Sequence, residues 1–432
     1  MTMNPNEDKE DRISGLPDHI IHNILRFIPI RTAAQTMILS HRWKNVFSSI
    51  PDLDFTTILA SPPPLDFSSH YMIEFDEMVN DRDINFLTNT LSLRNNNFTI
   101  RTLKLISSQL SCMAFKFIMI YPKFIDIEEL DVRVHDTHYF NIPWSIIRRV
   151  RVLKLNIMFL NFDRVIKPSL MKREFKFLHT MTLHKVSFLL LFHDNHVFTD
   201  TLFPCLKKLR MEWCFSVKKL TLRCSGLKDL VIKNCCDLNE LDIYGLNLER
   251  LKVENCFKYI SDHTKVKIIA PVMKVLKWVN VHSTLTSFLL EKSYLLEKVI
   301  IGLLYKTILI PPKDAQELCN MMNGLSHARF LKFNYASIEM NDLNNDKYWE
   351  EQLLEMHSFL NHIRKVKLDV IFESYEDNIS LAKFLLKNGK VLEEMVLCIG
   401  LNTLIGLARH KLMKSDLMEC SSASSKAKLV FQ

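Results

Sequence analysis

From residue 100 onward the chain repeats one short pattern, apolar-x-x-apolar-x-apolar. It reads Ile100-Leu103-Leu105, Ile127-Leu130-Val132, Val150-Leu153-Leu155, Leu178-Met181-Leu183 and Leu206-Leu209-Met211. It runs on through Val217-Leu220-Leu222, Leu227-Leu230-Ile232, Leu238-Leu241-Ile243, Leu248-Leu251-Val253, Met273-Leu276-Trp278 and Leu296-Val299-Ile301. Later copies are Ala328-Leu331-Phe333, Ile363-Val366-Leu368 and Leu392-Met395-Leu397. The alternation at the end of each copy is that of a short strand with one buried face. A strand of this length buries that face only by stacking on its neighbours, so the pattern predicts a pile of parallel coils.

The middle residues of the early copies lie 23 to 28 positions apart, inside the ~20–29 period of a leucine-rich repeat. Between Leu209 and Leu251 the spacing falls to 10–11 residues. A helix of even two turns takes about seven residues, so this stretch predicts strand-turn-strand coils, with short β segments on the convex side. Cys214, Cys224, Cys235 and Cys256 each follow a strand, at the slot where the repeat takes Asn or Cys. A zinc site is the competing reading. These cysteines lack the closely spaced pairs that tetrahedral ligation uses, and the adjacent Cys235-Cys236 pair suits it poorly. His135/His138 and His193/His196 sit at i, i+3 without a third ligand nearby, and read as loop or surface histidines.

The first sixty residues follow a different period. Ile20, Ile24 and Ile28 repeat at i, i+4, i+8 with Ile21 and Leu25 beside them, an apolar stripe on a short helix. Pro17 is placed as its first helical residue, with Asp18 at the positive end of the dipole, and Pro29 stops it. A second short helix is expected over 32–39 and a third over 41–49, carrying Trp43, Val46 and Phe47. Three such helices bury little, and they hold more apolar side chains than their own core can hide. Beyond Ile310 the copies are farther apart and helices are expected over 314–325, 346–363 and about 380–387. Residues 421–428 form a polar, low-complexity stretch for which no structure is expected.

Composition narrows the chemistry. Apolar residues are 48% and charged residues 24% of the 432, ordinary globular values that exclude wholesale disorder. There are only 8 glycines, so a Gly-rich phosphate loop or dinucleotide turn has almost nothing to be built from. No nucleophile elbow, HExxH helix, P-loop or kinase signature is present. No catalytic residue, cofactor or metal is therefore expected. Ten cysteines without a CxxC pair and a polar, acidic leader, MTMNPNEDKEDR, point to a reduced, intracellular protein of the nucleus or cytoplasm. The longest apolar runs are too short to span a bilayer.

The net charge is +8, and residues 101–306 hold 33 Lys/Arg against 19 Asp/Glu. That excess reads either as a solvated surface or as a face for an acidic partner. The basic residues are scattered without interleaved aromatics, so the chain does not point to nucleic acid.

The N-terminal string resembles a plant F-box. The resemblance rests on Leu16-Pro17-Asp18, Ile20, Ile24-Leu25, Ile28-Pro29, Leu39-Ser40, Arg42-Trp43 and Pro51-Asp52-Leu53-Asp54-Phe55, with Met37 and His41 as mild departures. It implies that Leu16, Pro17, Ile20, Ile24, Leu25, Ile28 and Pro29 contact a Skp-type adaptor, which tethers a cullin–RING ubiquitin ligase, with Trp43 holding the third helix. Phe384-Leu385-Leu386-Lys387-Asn388 and Val391-Leu392-Glu393-Glu394-Met395 resemble the FBD segment of plant F-box/leucine-rich repeat proteins. Gly389 stands where alanine is usual, a change expected to matter little.

The expected organisation is α/β: a disordered leader (1–11), an F-box of three helices (12–56), a linker and helix (57–99), and a leucine-rich repeat solenoid (100–310). Larger FBD-like αβ repeats (311–412) and a flexible tail (413–432) follow. The resemblance implies a non-catalytic substrate-recognition subunit of an SCF-type ligase, whose repeats hold an unidentified target. The alternative is a repeat module that binds a protein or an anionic ligand outside any ligase.

Overall fold

The computed structural model of the chain describes residue 13 and residues 15–56, 85–94, 98–107, 127–134, 149–157, 175–188, 198–257, 264–282, 285–291, 293–304, 324–336, 353–370, 375–399 and 404–432. The chain divides into two compact units, residues 1–160 with 173–175, and residues 161–172 with 176–432.

In the first unit α1 (Asp18–Leu25), α2 (Ile30–Gln35), a 3-10 turn (Thr36–Ile38) and α3 (His41–Ser48) come first. Pro17 and Pro29 precede α1 and α2 with φ of −59° and −54° but extended ψ of 146° and 138°. Pro17 is thus the cap and not, as expected, the first helical residue. The second helix starts two residues earlier than its periodicity predicts and tightens at Thr36, whose hydroxyl donates to the Ala33 carbonyl at 2.6 Å. A side chain that bonds its own backbone in this way competes with the helical ladder.

Among the described residues this unit also holds a helix, α4 (85–92), and strands β1 (Asp52–Asp54), β2 (Thr102–Ser107), β3 (Glu129–Val134) and β4 (Val152–Ile157). The strands pair in parallel, in the order β1-β2-β3-β4. Leu53, Leu103, Leu130 and Leu153 are in register and buried, each contributing about 1.5–3 kcal/mol of apolar burial. The first rung of the repeat stack therefore comes from residues 52–54, within the segment that resembles an F-box.

The second unit holds two parallel sheets. One contains β5 (Thr180–His184), β7 (Lys208–Glu212), β9 (Asp229–Lys233), β11 (Arg250–Glu254), β13 (Val275–His282), β15 (Lys298–Leu304), β16 (Phe330–Ala336), β17 (Lys365–Val370), β18 (Glu394–Ile399) and β19 (Lys428–Phe431). The other contains β6 (Phe198–Thr199), β8 (Lys219–Arg223), β10 (Glu240–Tyr244), β12 (Thr264–Ile269) and β14 (Leu285–Leu290). The short spacing between Leu209 and Leu251 is explained by this division. Leu209, Leu230 and Leu251 stack in the first sheet, and Leu220 and Leu241 stack in the second. A complete coil takes 21 residues and contributes a strand to each.

At the end of β5, β7, β9 and β11 the chain turns through Lys185, Trp213, Asn234 and Asn255, with φ between 51° and 56°. Their N–H groups donate to Glu212, Lys233, Glu254 and Val279 of the next coil at 2.8–3.0 Å. Asn tolerates this left-handed conformation, whereas Trp and Lys pay about 1 kcal/mol for it. The Asn255 amide also donates to the Asn234 side chain at 2.8 Å.

Just beyond these turns Cys214, Cys235 and Cys256 are buried one above another. Their thiols donate to the carbonyls of Leu183, Met211 and Ile232 at 3.6, 3.9 and 3.6 Å. Cys224 does not share this column, because it follows β8 of the second sheet; the common slot expected for all four cysteines holds for three.

Among the described residues three further helices alternate with the last strands: α5 (Leu353–Leu360), α6 (Tyr375–Asn388) and α7 (Leu404–Met418). The helix expected over 314–325 lies outside the described residues apart from its last two, as does the first part of that expected over 346–363. Residues 413–432, expected to be a flexible tail, instead hold the end of α7 and β19, which pairs with β18. The serine-rich turn obscures a four-residue strand. Within that turn the Ser424 hydroxyl donates to the Leu392 carbonyl at 2.6 Å and the Ala423 N–H to Leu386 at 2.9 Å. Gly389 also matters more than expected. A Cβ there would lie 2.7 Å from the Leu385 carbonyl oxygen, so alanine requires a backbone shift.

Candidate functional site

The helical triplet is held together by polar clamps at its rim and a small apolar core. Arg42 of α3 donates to the Leu16 carbonyl and, at 3.0 Å, to the Asp18 carboxylate at the start of α1. The Ser40 hydroxyl caps α3 by accepting from Trp43 N–H at 3.3 Å, satisfying one of the helix's orphan donors. His22 Nε2 lies 3.0 Å from the Val46 carbonyl and 3.1 Å from the Ser49 hydroxyl. Ile21, Leu25, Ile30, Ala33, Trp43, Val46 and Phe47 fill the interior.

Adjacent residues on a helix lie about 100° apart, so the two apolar pairs of α1 face different ways. Ile21 and Leu25 point inward, and Leu25 is 5% exposed. Ile20 and Ile24 point outward, and Ile24 is 47% exposed. Of the residues that the F-box resemblance assigns to the adaptor, Pro17, Ile20, Ile24 and Pro29 are exposed and Leu16 and Ile28 half-buried. Leu25 offers no surface, because it belongs to the triplet's own core. Trp43 is buried as well, packed where it holds the third helix.

Three exposed side chains were given no adaptor contact by the sequence reading. Phe27 and Ile38 are each 87% exposed and Leu39 68%. Phe27 continues the outward spacing of Pro17, Ile20 and Ile24, a series at i, i+3, i+7, i+10 that was legible in principle. Ile38 and Leu39 sit at the 3-10 turn and just after it, where no helical period applies. An isolated exposed apolar residue is ordinary, but several on so small a body form a surface suited to apolar docking.

At the base of the triplet Asp52 accepts from Arg101 Nε at 3.0 Å and from Arg101 Nη2. Burial works against the Asp52 charge, yet Arg101 together with the Thr102 hydrogen bond and the Arg26 charge outweighs it and holds the carboxyl below its usual range. Arg94, next to α4, donates to the Ile50 carbonyl, and burial lowers its pKa to about 10.

On the repeats, much of the basic excess is paired. Glu254 meets Lys233, Lys252 and Lys277 at 3.1, 3.0 and 2.5 Å. Burial opposes its charge, but these three ammonium groups hold its pKa at about 2. Glu249 likewise receives Lys228 and Lys274, and Arg250 pairs with Asp229. Among the described residues no group of three His, Cys, Asp or Glu side chains converges in metal-binding geometry, and no helix is long and apolar enough to cross a membrane. His135, His138, His193 and His196 lie outside the described residues.

Comparison with known proteins agrees with this arrangement. The family model of the F-box domain matches residues 13–54, and that of the FBD matches residues 356–397. Over its length the chain is similar to an Arabidopsis thaliana protein named for an F-box, an FBD and leucine-rich repeats. The two are 29% identical over 98% of this chain and 95% of the relative. A second Arabidopsis thaliana protein, named for an F-box and leucine-rich repeats, is 25% identical over 60% of this chain and 46% of its own length. A third of that description is 56% identical over 45 residues, 10% of each chain. The chain thus carries an F-box domain, a parallel-strand repeat solenoid and an FBD.

Proposed function

We propose that this protein is the substrate-recognition subunit of an SCF-type ubiquitin ligase, its F-box docking on a Skp-type adaptor and its repeats holding a target protein. The carrying observation is the outward apolar series Pro17, Ile20, Ile24 and Phe27 on an F-box whose own core is already filled by Ile21, Leu25, Trp43 and Phe47. Such side chains gain on the order of 25 cal/mol per Å² when a partner covers them. In this reading no residue of the chain does chemistry. It raises the local concentration of target lysines near a conjugating enzyme held elsewhere on the ligase. Work of this kind takes place in the reducing nucleus or cytoplasm.

The test is co-purification of the full chain with a Skp-type adaptor, alone and as the Leu16→Ala/Ile24→Ala double variant. Loss of the adaptor from the variant, with circular dichroism unchanged, supports the reading; equal recovery from both defeats it. The basic excess over residues 101–306 favours a second reading, a binding module for an acidic protein or anionic ligand outside any ligase. Its mark is that no cellular protein accumulates when the F-box is deleted.

A further inference from the structure

The C-terminal repeats contain a cleft of about 470 Å³ that the adaptor reading leaves unused. It opens where successive coils enter the first sheet, and Arg329, His362, Arg364, Lys390, Glu393 and Lys426 line it. These residues come from four separate stretches of sequence. Arg329 and Arg364 immediately precede β16 and β17. Lys390 follows the Gly389 stop of α6, and Lys426 stands two residues before β19.

Four cations face one carboxylate. The register Phe330↔Lys365 sets Arg329 beside Arg364 in neighbouring strands, at the ~4.8 Å spacing of a sheet. Like charges placed directly opposite one another are destabilising. Glu393, on the far side of Arg364, reaches its Nη1 at 3.5 Å only. Arg329, Lys390 and Lys426 form no ion pair among the described residues, although Glu297 occupies the same row as Arg329. Elsewhere on this sheet cations share carboxylates closely, as around Glu254. Among the described residues, then, the cleft carries positive charge that nearby carboxylates do not neutralise.

The main-chain donors of the two arginines are already in use. Arg364 and Lys365 N–H both donate to the Arg329 carbonyl, and Arg329 N–H donates to Glu297. At the arginine pair recognition therefore falls to the side chains. Paired guanidiniums present forked donors that match tetrahedral oxyanions, and lysines add point charge. A single carboxylate would leave most of that charge unanswered, whereas a phosphoryl dianion answers more of it.

We propose that this cleft binds a phosphoryl group, carried on a phosphorylated protein segment or on a free phosphate ester. The inference stands apart from the adaptor reading, since it uses none of the F-box residues. Isothermal titration calorimetry on the full chain tests it with inorganic pyrophosphate, with a phosphoserine peptide and with that peptide unphosphorylated. The expected result is saturable binding of a phosphorylated probe that weakens roughly tenfold or more in Arg329→Ala/Arg364→Ala, a loss of the size set by removing charged hydrogen bonds. Arg329→Lys/Arg364→Lys should recover part of it. Pyrophosphate binding alone assigns the site to a free ester. Preference for the phosphopeptide over its unmodified twin assigns it to a modified segment. Binding of neither phosphorylated probe, or equal binding by a double-alanine variant with unchanged circular dichroism, overturns the proposal.

Discussion

The Asp52 carboxylate and the Arg101 guanidinium meet end to end, with Nε on Oδ1 at 3.0 Å and Nη2 on Oδ2. This pair ties the segment that closes the helical triplet to the first strand after it, alongside the β1–β2 ladder. Asp52→Asn should cost about 1 kcal/mol in chemical denaturation, the usual worth of a bidentate pair with one exposed member. Because the folded pKa of Asp52 lies below its ordinary 3.8, its contribution is complete above that value and fades as the pH falls through the lower folded value. A denaturation series at acid pH in which the wild type and the variant converge checks the sign.

Leu25 and Ile24 are neighbours with opposite duties. Leu25→Ala should destabilise the first unit by about 2–4 kcal/mol through a core cavity. Ile24→Ala should change stability by no more than about 0.5 kcal/mol, yet weaken adaptor affinity roughly tenfold. Thermal melts and a binding titration on both variants separate the two effects.

Glu254 is the counter-ion for three lysines. Glu254→Gln should cost about 1–2 kcal/mol at low salt, a figure discounted for the partial exposure of its partners, and less at high salt. With its pKa held at about 2 against an ordinary 4.5, the stabilisation is present above 4.5 and is lost as the pH falls toward 2. Urea unfolding at two ionic strengths measures it.

Burial pushes the thiols of Cys214 and Cys256 well up, and burial with the nearby Asp200 charge takes Cys224 to about 12. These thiols should resist alkylation in the folded chain, since the thiolate is the reactive form. The exposed Cys236 should react first. Timed iodoacetamide labelling followed by peptide mass spectrometry gives the order, and equal labelling of all four would contradict it.

The repeat stack was readable because each coil puts the same residue type in the same buried place, as at Leu103, Leu130 and Leu153. The two-sheet stretch was readable from spacing alone, since about ten residues cannot hold a helix and two turns. What escaped notice lacked a period. β1 has one inward residue, Leu53, between two aspartates; β19 follows a run of serines; Ile38 and Leu39 sit at a 3-10 turn. The cation cleft was hidden for another reason: Arg329, Arg364, Lys390 and Lys426 are far apart along the chain and meet only through strand register.

That three-residue β1 strand governs where the protein can be divided. A fragment beginning after residue 56 would leave β2 with a bare row of amide and carbonyl groups and an uncovered leucine at Leu103, a template for intermolecular pairing. Such fragments should clump in solution, while those retaining residues 52–54 keep that flank shielded. Exchange of this F-box for another would have to carry its trailing strand along.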